Sequence, residues 1–297
     1  MKSSIVIPNY NGKELLEKNL PAVINAFENK KNNIIEVIIV DDGSSDDSVN
    51  FINQKYKGVV KLIKHAKNRG FATSVNTGVR ATKGDLIVLL NSDVSPSGYF
   101  LEKIGELFED KNVFAVSLHE KGYGGAKGNF IDGFVEIGMK KESTKIEKSF
   151  YVSGGSGVFR KSIWQDLSGM DERLLSPFYW EDIDLCYRAI KRGYSCLWSP
   201  DSDVVHNHES TISKLPKKYV ARIRERNQLL LIWKNITSRS MFLKHINFML
   251  KRAFAHPGYF IIIFMALGKI SEVLRLRKRE IKESKVSDEA VFSIYSA

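Results

Sequence analysis

The sequence predicts an α/β fold with a mostly parallel central sheet flanked by helices. Short apolar runs rich in Ile and Val alternate with longer stretches whose apolar residues recur at helical spacing. Polar loops follow the apolar runs, as expected where strands end at one edge of a parallel sheet. The 297 residues are 43% hydrophobic and 27% charged, a composition that excludes disordered and fibrous proteins.

The first half of the chain supplies strands and helices in alternation. Strands are predicted at 4–7, 34–40, 59–63 and 86–90, with helices between 15 and 27 and from about 72 to 81. Ligands of such sheets bind beyond the carboxyl ends of the strands. The loops expected to carry function are therefore 8–12, 41–48, 68–70 and 91–96.

The second half is less regular. Glycines within 112–151 indicate hairpins and a flexible loop, and a strand is predicted at 151–160. A helix is predicted at 181–192, with Gly193 as its C-cap. After Pro216 the chain is long, basic and apolar, with few turn residues before 257–258, which indicates helices.

The net charge of +11 is unevenly distributed. Residues 1–213 hold 27 basic and 28 acidic residues, whereas 214–285 hold 18 basic and 4 acidic ones. A basic segment is typical of nucleic-acid binding, of contact with an anionic membrane, or of a solvated helix face. Two cysteines cannot form a disulfide framework, and the chain starts without a secretory pattern, so we expect a cytoplasmic protein.

Acidic and amide side chains follow two predicted strands. Four carboxylates lie within 41–47, where we expect one Asp to bind a ligand and Ser44 or Asp46 to cap the next helix. Asn91, Ser92 and Asp93 follow the strand at 86–90. Oxygen donors two positions apart suit a hard cation such as Mg²⁺ or Mn²⁺.

Two further groups could carry chemistry. Glu181, Asp182 and Asp184 open a predicted helix, where they either stabilise its N-terminus or supply a general base. His206 and His208 follow a predicted strand end and are either structural or metal ligands.

Six motifs occur in order along the chain. They are SIVIPNYN at 4–11, VDDGSSD at 40–46, NRGFA at 68–72, NSD at 91–93, GMDE at 169–172 and EDIDL at 181–185. The set resembles the family 2 glycosyltransferases of the GT-A fold, particularly the branch containing bacterial rhamnosyltransferases. The resemblance implies a GT-A domain at 1–235, with a nucleotide-binding half at about 1–110 and an acceptor-binding half at about 111–235. Residues 236–297 then form a basic, apolar helical extension.

The same resemblance implies a donor site. The implied nucleotide-sugar-binding residues are Pro8, Tyr10, Asp42, Arg69, Asn91 and Ser92. Asp42 is expected to accept the N3–H of uracil or thymine. Pro8 and Tyr10 would line the base pocket, and Arg69 would approach the diphosphate.

Catalytic and metal-binding roles are implied as well. Asp93 matches the last residue of the D-x-D motif that binds a divalent cation, while Asn91 replaces the first carboxylate and is a weaker ligand. His206 matches a histidine that joins the metal in some relatives. Asp182 corresponds to the catalytic base, with Glu181 as its paired acid.

The implied activity is metal-dependent, inverting transfer of a sugar from a UDP- or dTDP-sugar. The acceptor would be a hydroxyl of a glycan or a polyprenyl-linked saccharide in cell-surface polysaccharide synthesis. A nucleotidyltransferase would need a Gly- and Lys-rich loop after the first strand, which 8–13 hardly provides. A nucleic-acid-binding protein could use the basic segment, but Asp42, Asp93 and Asp182 would then be unexplained, so we expect no nucleic-acid partner.

The basic segment contains a helix candidate at 259–267 that is apolar on all sides. The uncharged stretch at 253–268 is shorter than the roughly 20 residues of a spanning helix. With Lys251, Arg252 and the basic cluster at 275–279, we expect it to lie on an anionic membrane, on the inner face of the cell membrane. The alternative is a core or dimer-interface helix, and the oligomeric state stays open.

Overall fold

The computed structural model of the protein describes residues 1–206 and 215–296. Its strands are β1 (Ser3–Asn9), β2 (Ile34–Asp41), β3 (Val60–Lys64), β4 (Leu86–Leu90), β5 (Val94–Pro96), β6 (Val113–Glu120), β7 (Ala126–Ile131), β8 (Phe134–Met139), β9 (Glu147–Lys148), β10 (Ser156–Arg160) and β11 (Ser195–His206). Its α-helices are α1 (Lys13–Glu28), α2 (Ser48–Lys55), α3 (Phe71–Arg80), α4 (Ile104–Leu107), α5 (Lys161–Asp166), α6 (Glu181–Lys191), α7 (Lys217–Asn235), α8 (Arg239–Ala255), α9 (Tyr259–Leu267), α10 (Ile270–Glu283) and α11 (Asp288–Tyr295).

The main sheet has the strand order β3-β2-β1-β4-β10-β6-β11-β5. Strands β1 to β4 are parallel to one another, and β6 is parallel to β11. Strand β10 runs antiparallel between β4 and β6, and β5 and β9 run antiparallel to β11. The α/β fold class is confirmed; the sheet is parallel through β4 and mixed beyond it.

Hydrophobic cores lie on both faces of the sheet. Along β1, Ile5 and Ile7 enter the core shared with α1, whereas Val6 enters the opposite core, beside α3 and α6. This alternation follows from the two-residue period of a strand. Burial on both faces explains why the strands read as unbroken apolar runs.

Most predicted elements match the structure, with differences at their ends. The helix predicted at 181–192 is α6, which ends at Lys191; its C-cap is Arg192 and not the predicted Gly193, which follows with a φ of +90°. The strand predicted at 151–160 begins only at Ser156, because residues 153–155 turn along a cavity described below. The C-terminal helices are also interrupted at 236–238, where the Ser238 hydroxyl accepts a hydrogen bond from the N–H of Met241.

The C-terminal helices pack onto the body of the protein. α9 and α10 contact α7, α8 contacts α9, and α11 contacts α6 and β7. Leu230 of α7, Ile262 of α9, Val273 of α10 and Phe292 of α11 belong to one hydrophobic core. Across the described ranges, no helix is both long enough and apolar enough to cross a bilayer.

Candidate active site

A cavity of about 570 Å³ lies at the carboxyl ends of β1, β2 and β4. The predicted site residues that line it are Pro8, Tyr10, Asp42, Asn91, Ser92, Asp93, Glu181, Asp182 and His206. Arg69 is not among the lining residues, and its side chain is exposed. His208 lies outside the described residues. The fold therefore brings nearly all predicted site residues, from loops far apart in sequence, to one cavity.

Asp42 makes several hydrogen bonds within the protein. Its carboxylate accepts the backbone N–H of Arg69 at 3.0 Å from both oxygens and the N–H of Gly70 at 2.8 Å. The Nδ1 of His65 lies 2.7 Å from Oδ1. Asp42 therefore also fixes the loop at 68–70, and Arg69 contributes its backbone to this arrangement.

Asp93, His206 and Glu120 form a line of polar groups at the cavity. The Nε2 of His206 is 3.3 Å from Oδ1 of Asp93, and its Nδ1 is 2.9 Å from Oε1 of Glu120. The same Glu120 oxygen accepts a 2.8 Å hydrogen bond from the Ser156 hydroxyl. Burial alone would lower the pKa of His206, but the two carboxylates raise it to about 9. The sequence did not single out Glu120, which ends β6.

The donor set at this position fits a divalent cation. Asp93 offers a carboxylate oxygen and His206 an imidazole nitrogen, which are ligand types that Mn²⁺ accepts once the ring releases the proton that the two carboxylates favour. Glu120 holds the other ring nitrogen, as an outer carboxylate does for many metal-binding histidines. Across 1–206 and 215–296, no three His, Cys, Asp or Glu side chains form a metal-binding group. The protein thus offers Asp93 and His206, and substrate phosphates commonly complete such coordination.

Asn91 lies against a close backbone approach. Its N–H donates to the carbonyl of Gly155 at 2.8 Å. A Cβ atom at residue 155 would lie only 2.5 Å from Nδ2 of Asn91, so any side chain there would displace the amide. The backbone of residue 155 thus lies directly against the Asn91 amide at the cavity wall.

Glu181 and Asp182 begin α6 and enter the same cavity. Asp182 accepts N–H groups from Gly154 at 3.2 Å and from Ile183 at 2.8 Å. Burial raises the pKa of Asp182, and these hydrogen bonds act in the opposite direction. Burial and the neighbouring Asp182 charge raise the pKa of Glu181 to about 8. Its Oε2 atom has no hydrogen-bond partner among the described residues.

Residues 175–180 lead into α6 under strain and are held by α7. Tyr179 and Trp180 have φ values of +73° and +77°, which are unfavourable for bulky residues. The side-chain amide of Asn227 donates to the carbonyls of Leu175, Phe178 and Tyr179. The indole N–H of Trp180 donates to the carbonyl of Arg224 at 2.9 Å. The order Arg-Asn at 226–227 was visible in the sequence, but only the fold reveals this contact.

Buried charges fix the orientation of α6. Asp184 contacts Lys234 at 2.7 Å and Arg188 at 2.9 Å, and all three side chains are buried. Burial alone would raise the pKa of Asp184, but Lys234 and Arg188 lower it to about 2. The three acidic residues of this helix therefore have different surroundings. Asp184 packs inside the protein, whereas Glu181 and Asp182 face the cavity, where a general base could act.

The comparison with known families identifies the chain. Residues 4–167, more than half of the sequence, match the profile of "Glycosyl transferase family 2". The chain belongs to glycosyl transferase family 2. The resemblance carried by the six sequence motifs is therefore confirmed.

Individual relatives of this family 2 chain are distant. The pre-mycofactocin glycosyltransferase of Mycobacterium tuberculosis is 30% identical over 186 residues, which is 60% of this chain and 38% of that protein. The O-antigen chain rhamnosyltransferase WbaN of Salmonella anatum is 25% identical over 217 residues, or 70% of this chain and 67% of that one. The chain thus spans less than half the length of the first of these relatives.

Solved structures show the same fold. GalNAc-T7, crystallised with UDP, GalNAc and Mn²⁺, gives a TM-score of 0.65 at 17% identity, over 80% of this chain and 48% of that one. Residues 1–349 of TarS from S. aureus give a TM-score of 0.57 at 14% identity, over 96% and 83% of the two chains. These likenesses show that the family 2 chain has the GT-A fold.

Proposed function

We propose that the protein is an inverting glycosyltransferase that uses a nucleotide-diphosphate sugar. The observation that carries this proposal is the position of Asp182 and Glu181 in the same cavity as Asp93 and His206. A proton-accepting carboxylate and a group able to hold a cation are what sugar transfer from a diphosphate requires. Family membership supports the same reaction class.

Asp182 is the general base in this proposal. An acceptor hydroxyl has a pKa far above neutral, so a carboxylate must take its proton as the oxygen attacks the anomeric carbon. Burial and the neighbouring Asp182 charge raise the pKa of Glu181 and favour its protonated form. The pair therefore holds one negative charge, which we assign to Asp182. A single base opposite the leaving diphosphate results in inversion at the anomeric carbon.

Asp93 and His206 would hold the divalent cation, Mg²⁺ or Mn²⁺. When bound, it supplies positive charge to the leaving diphosphate. Glu120 and Ser156 orient His206 for this task through the contacts described above. The GalNAc-T7 structure, which contains UDP and Mn²⁺, supports a cation by analogy of fold.

The donor side of the cavity consists of Pro8, Tyr10 and Asp42, and we assign it to the uracil or thymine of a UDP- or dTDP-sugar. TarS has also been crystallised with UDP-GlcNAc. The amides at 69–70 already occupy the Asp42 carboxylate, so a base would share an acceptor oxygen with them. Asn91 and Ser92 lie between this side and Asp93.

The acceptor side is aromatic. Phe178, Tyr179 and Tyr219 line the cavity near Asp182, and the Phe178 ring contacts both tyrosine rings edge to face. Aromatic side chains bury apolar surface and keep a polar edge, which suits a sugar ring. We therefore assign a glycan or polyprenyl-linked saccharide to this side. The WbaN relative supports a role in cell-surface polysaccharide synthesis, and we place the enzyme peripherally on the inner face of the cell membrane.

A thermal-shift screen of nucleotide sugars with Mn²⁺ or Mg²⁺ tests this function. A ligand that binds only the folded protein stabilises it by RT ln(1 + [L]/Kd), or about 2.7 kcal/mol at a hundredfold excess over Kd. We expect a metal-dependent rise in Tm with a UDP- or dTDP-sugar. The Asp93→Ala variant is the matched control and should lose that rise. Absence of a rise with every UDP-, dTDP- and GDP-sugar would overturn the proposal.

A further inference from the structure

Helices α8 and α9 share an exposed apolar surface. Its side chains are Leu243, Leu250, Phe254, Ile261, Phe264 and Leu267, here called the α8–α9 face. The first three recur at spacings of seven and four residues, which places them on one side of α8. Phe254 is 74% exposed and Phe264 67% exposed. The ring centres of Phe254 on α8 and Phe260 on α9 are 5.8 Å apart, so the two helices meet beside these exposed residues.

The outward side of α9 differs from that of an ordinary surface helix. α9 packs Ile262, Ile263 and Ala266 into the core, yet its outward side carries Ile261 and Phe264 in place of polar residues. Surface helices usually turn charged and polar residues to water. Several large apolar side chains exposed on neighbouring helices are typical of an interaction site.

Lysines border the face. Lys244 and Lys251 are exposed on α8, with their Nζ atoms 5.9 and 5.2 Å from the centre of the Phe248 ring. The basic cluster at 275–279 contributes less than the sequence suggested. Arg277 donates to the carbonyl of Trp233, and Arg279 donates to the carbonyl of Asp166 at the end of α5 and to the hydroxyl of Ser168.

We infer that the α8–α9 face docks on an anionic lipid bilayer. Its phenyl and aliphatic side chains enter the headgroup region, and Lys244 and Lys251 lie against lipid phosphates. The lysines also argue against a second copy of the chain as the occupant. A twofold dimer through this face would bring the same positive charges together.

The face is connected to the cavity through α7. Arg252 of α8 forms an ion pair with Glu225 of α7 at 3.3 Å. Glu225 lies six positions after Tyr219 of the cavity wall, which is about 9 Å along the helix. The docking helix α8 thus contacts the helix that bears Tyr219, and in this inference docking serves to keep the acceptor side of the cavity near lipid-linked molecules. The role of docking in acceptor access rests on the proposed function, whereas the docking of the α8–α9 face on a bilayer does not.

Flotation of the full chain with vesicles tests the inference. The vesicles contain equal parts of phosphatidylglycerol and phosphatidylcholine, and phosphatidylcholine alone serves for comparison. We expect binding to the anionic vesicles, reduced at least tenfold in the Phe254→Ser, Phe264→Ser double variant. The Lys244→Glu, Lys251→Glu variant should show a similar loss. The matched control, Val59→Ser with Tyr99→Ser, removes exposed apolar side chains elsewhere and should bind as the wild type does.

Three results would overturn the docking surface. They are absence of flotation by the full chain, equal binding to both vesicle types, and unchanged binding of the phenylalanine variant. A dimer in solution that the phenylalanine variant disrupts would assign the face to a second copy instead. UDP-dependent thermal stabilisation is measured on each variant. Its retention shows that the variants are folded, and its absence in the wild type is a failure of the proposed function alone.

Discussion

Replacing Asp182 by Asn removes the proposed base while keeping the size of the side chain. Asp182 accepts one N–H with each carboxylate oxygen, and an amide can accept only one of the two. We expect kcat to fall by about 10²–10⁴-fold, the usual contribution of a general base. This corresponds to about 3–5 kcal/mol of activation free energy. The lost acceptor adds a smaller destabilisation of about 1–3 kcal/mol to the fold.

The neighbouring carboxyl supplies the control. Asp182 is one of the causes of the raised pKa of Glu181, so Glu181→Gln mimics the protonated form and should lose less than tenfold. In the wild type, the acidic limb of kcat should lie above the ordinary Asp pKa of about 3.9, because burial raises the pKa of Asp182. Activity is therefore lost as the pH falls through that raised pKa.

The assay follows release of nucleoside diphosphate with saturating acceptor, and donor affinity is measured separately by calorimetry. We expect donor Kd to be unchanged in both variants, because the proposed nucleotide contacts lie elsewhere. An Asp182→Asn enzyme that keeps more than a tenth of wild-type turnover would refute the role of Asp182. If Glu181→Gln were the inactive variant, the two carboxyl groups would exchange roles.

Three other changes have defined outcomes. Glu120→Ala should weaken Mn²⁺ binding in the presence of UDP about 10–100-fold by calorimetry; an unchanged Kd would contradict its orienting role. Asn227→Ala should lower kcat about tenfold with donor Kd unchanged, because the two N–H groups of the Asn227 amide, shared among three carbonyls, hold the loop before α6 and contribute about 2 kcal/mol; loss of donor binding instead would be evidence against this role. Asp184→Asn should cost about 3 kcal/mol in urea unfolding at pH 7, because Arg188 stays buried without the Asp184 carboxylate and Lys234 keeps only the longer, 3.4 Å contact with Asp171. With a folded pKa of about 2, Asp184 contributes fully above its unfolded pKa of about 3.9, so only the wild type should lose this stability as the pH falls from 4 to 2.

The sequence was most informative where local pattern and topology agree. Strands β1, β2 and β4 are buried on both faces, so nearly all of their residues are apolar. The change to polar residues after each strand marks its end clearly in the sequence. The loops after them meet at one edge because the strands are parallel. Asp42 and Asp93 could therefore be assigned to one site from the amino-acid pattern alone.

Contacts between segments far apart in the sequence could not be predicted from local patterns. Glu120 joins the site because β6 lies beside β11 in the sheet, and no local pattern indicates that pairing. Asn227 acts on carbonyl groups about fifty residues earlier in the chain. Arg277 and Arg279 have the sequence of a solvent-facing basic cluster, yet their guanidinium groups bind carbonyls of the body. Periodicity predicts which side chains share a face of an element, but not which face meets which neighbour.

The buried contact between Lys191 and Asp288 has a consequence for biosynthesis. Asp288 begins α11 and accepts hydrogen bonds from Lys191 at the end of α6 and from the hydroxyl of Tyr187. Until Asp288 has left the ribosome, Lys191 lacks its buried carboxylate partner at the end of α6. The sheet can form early in translation, but α6, which carries the proposed catalytic residues, gains this contact only when α11 has been made. A nascent chain stalled before α11 should therefore have the strands of the enzyme without its activity.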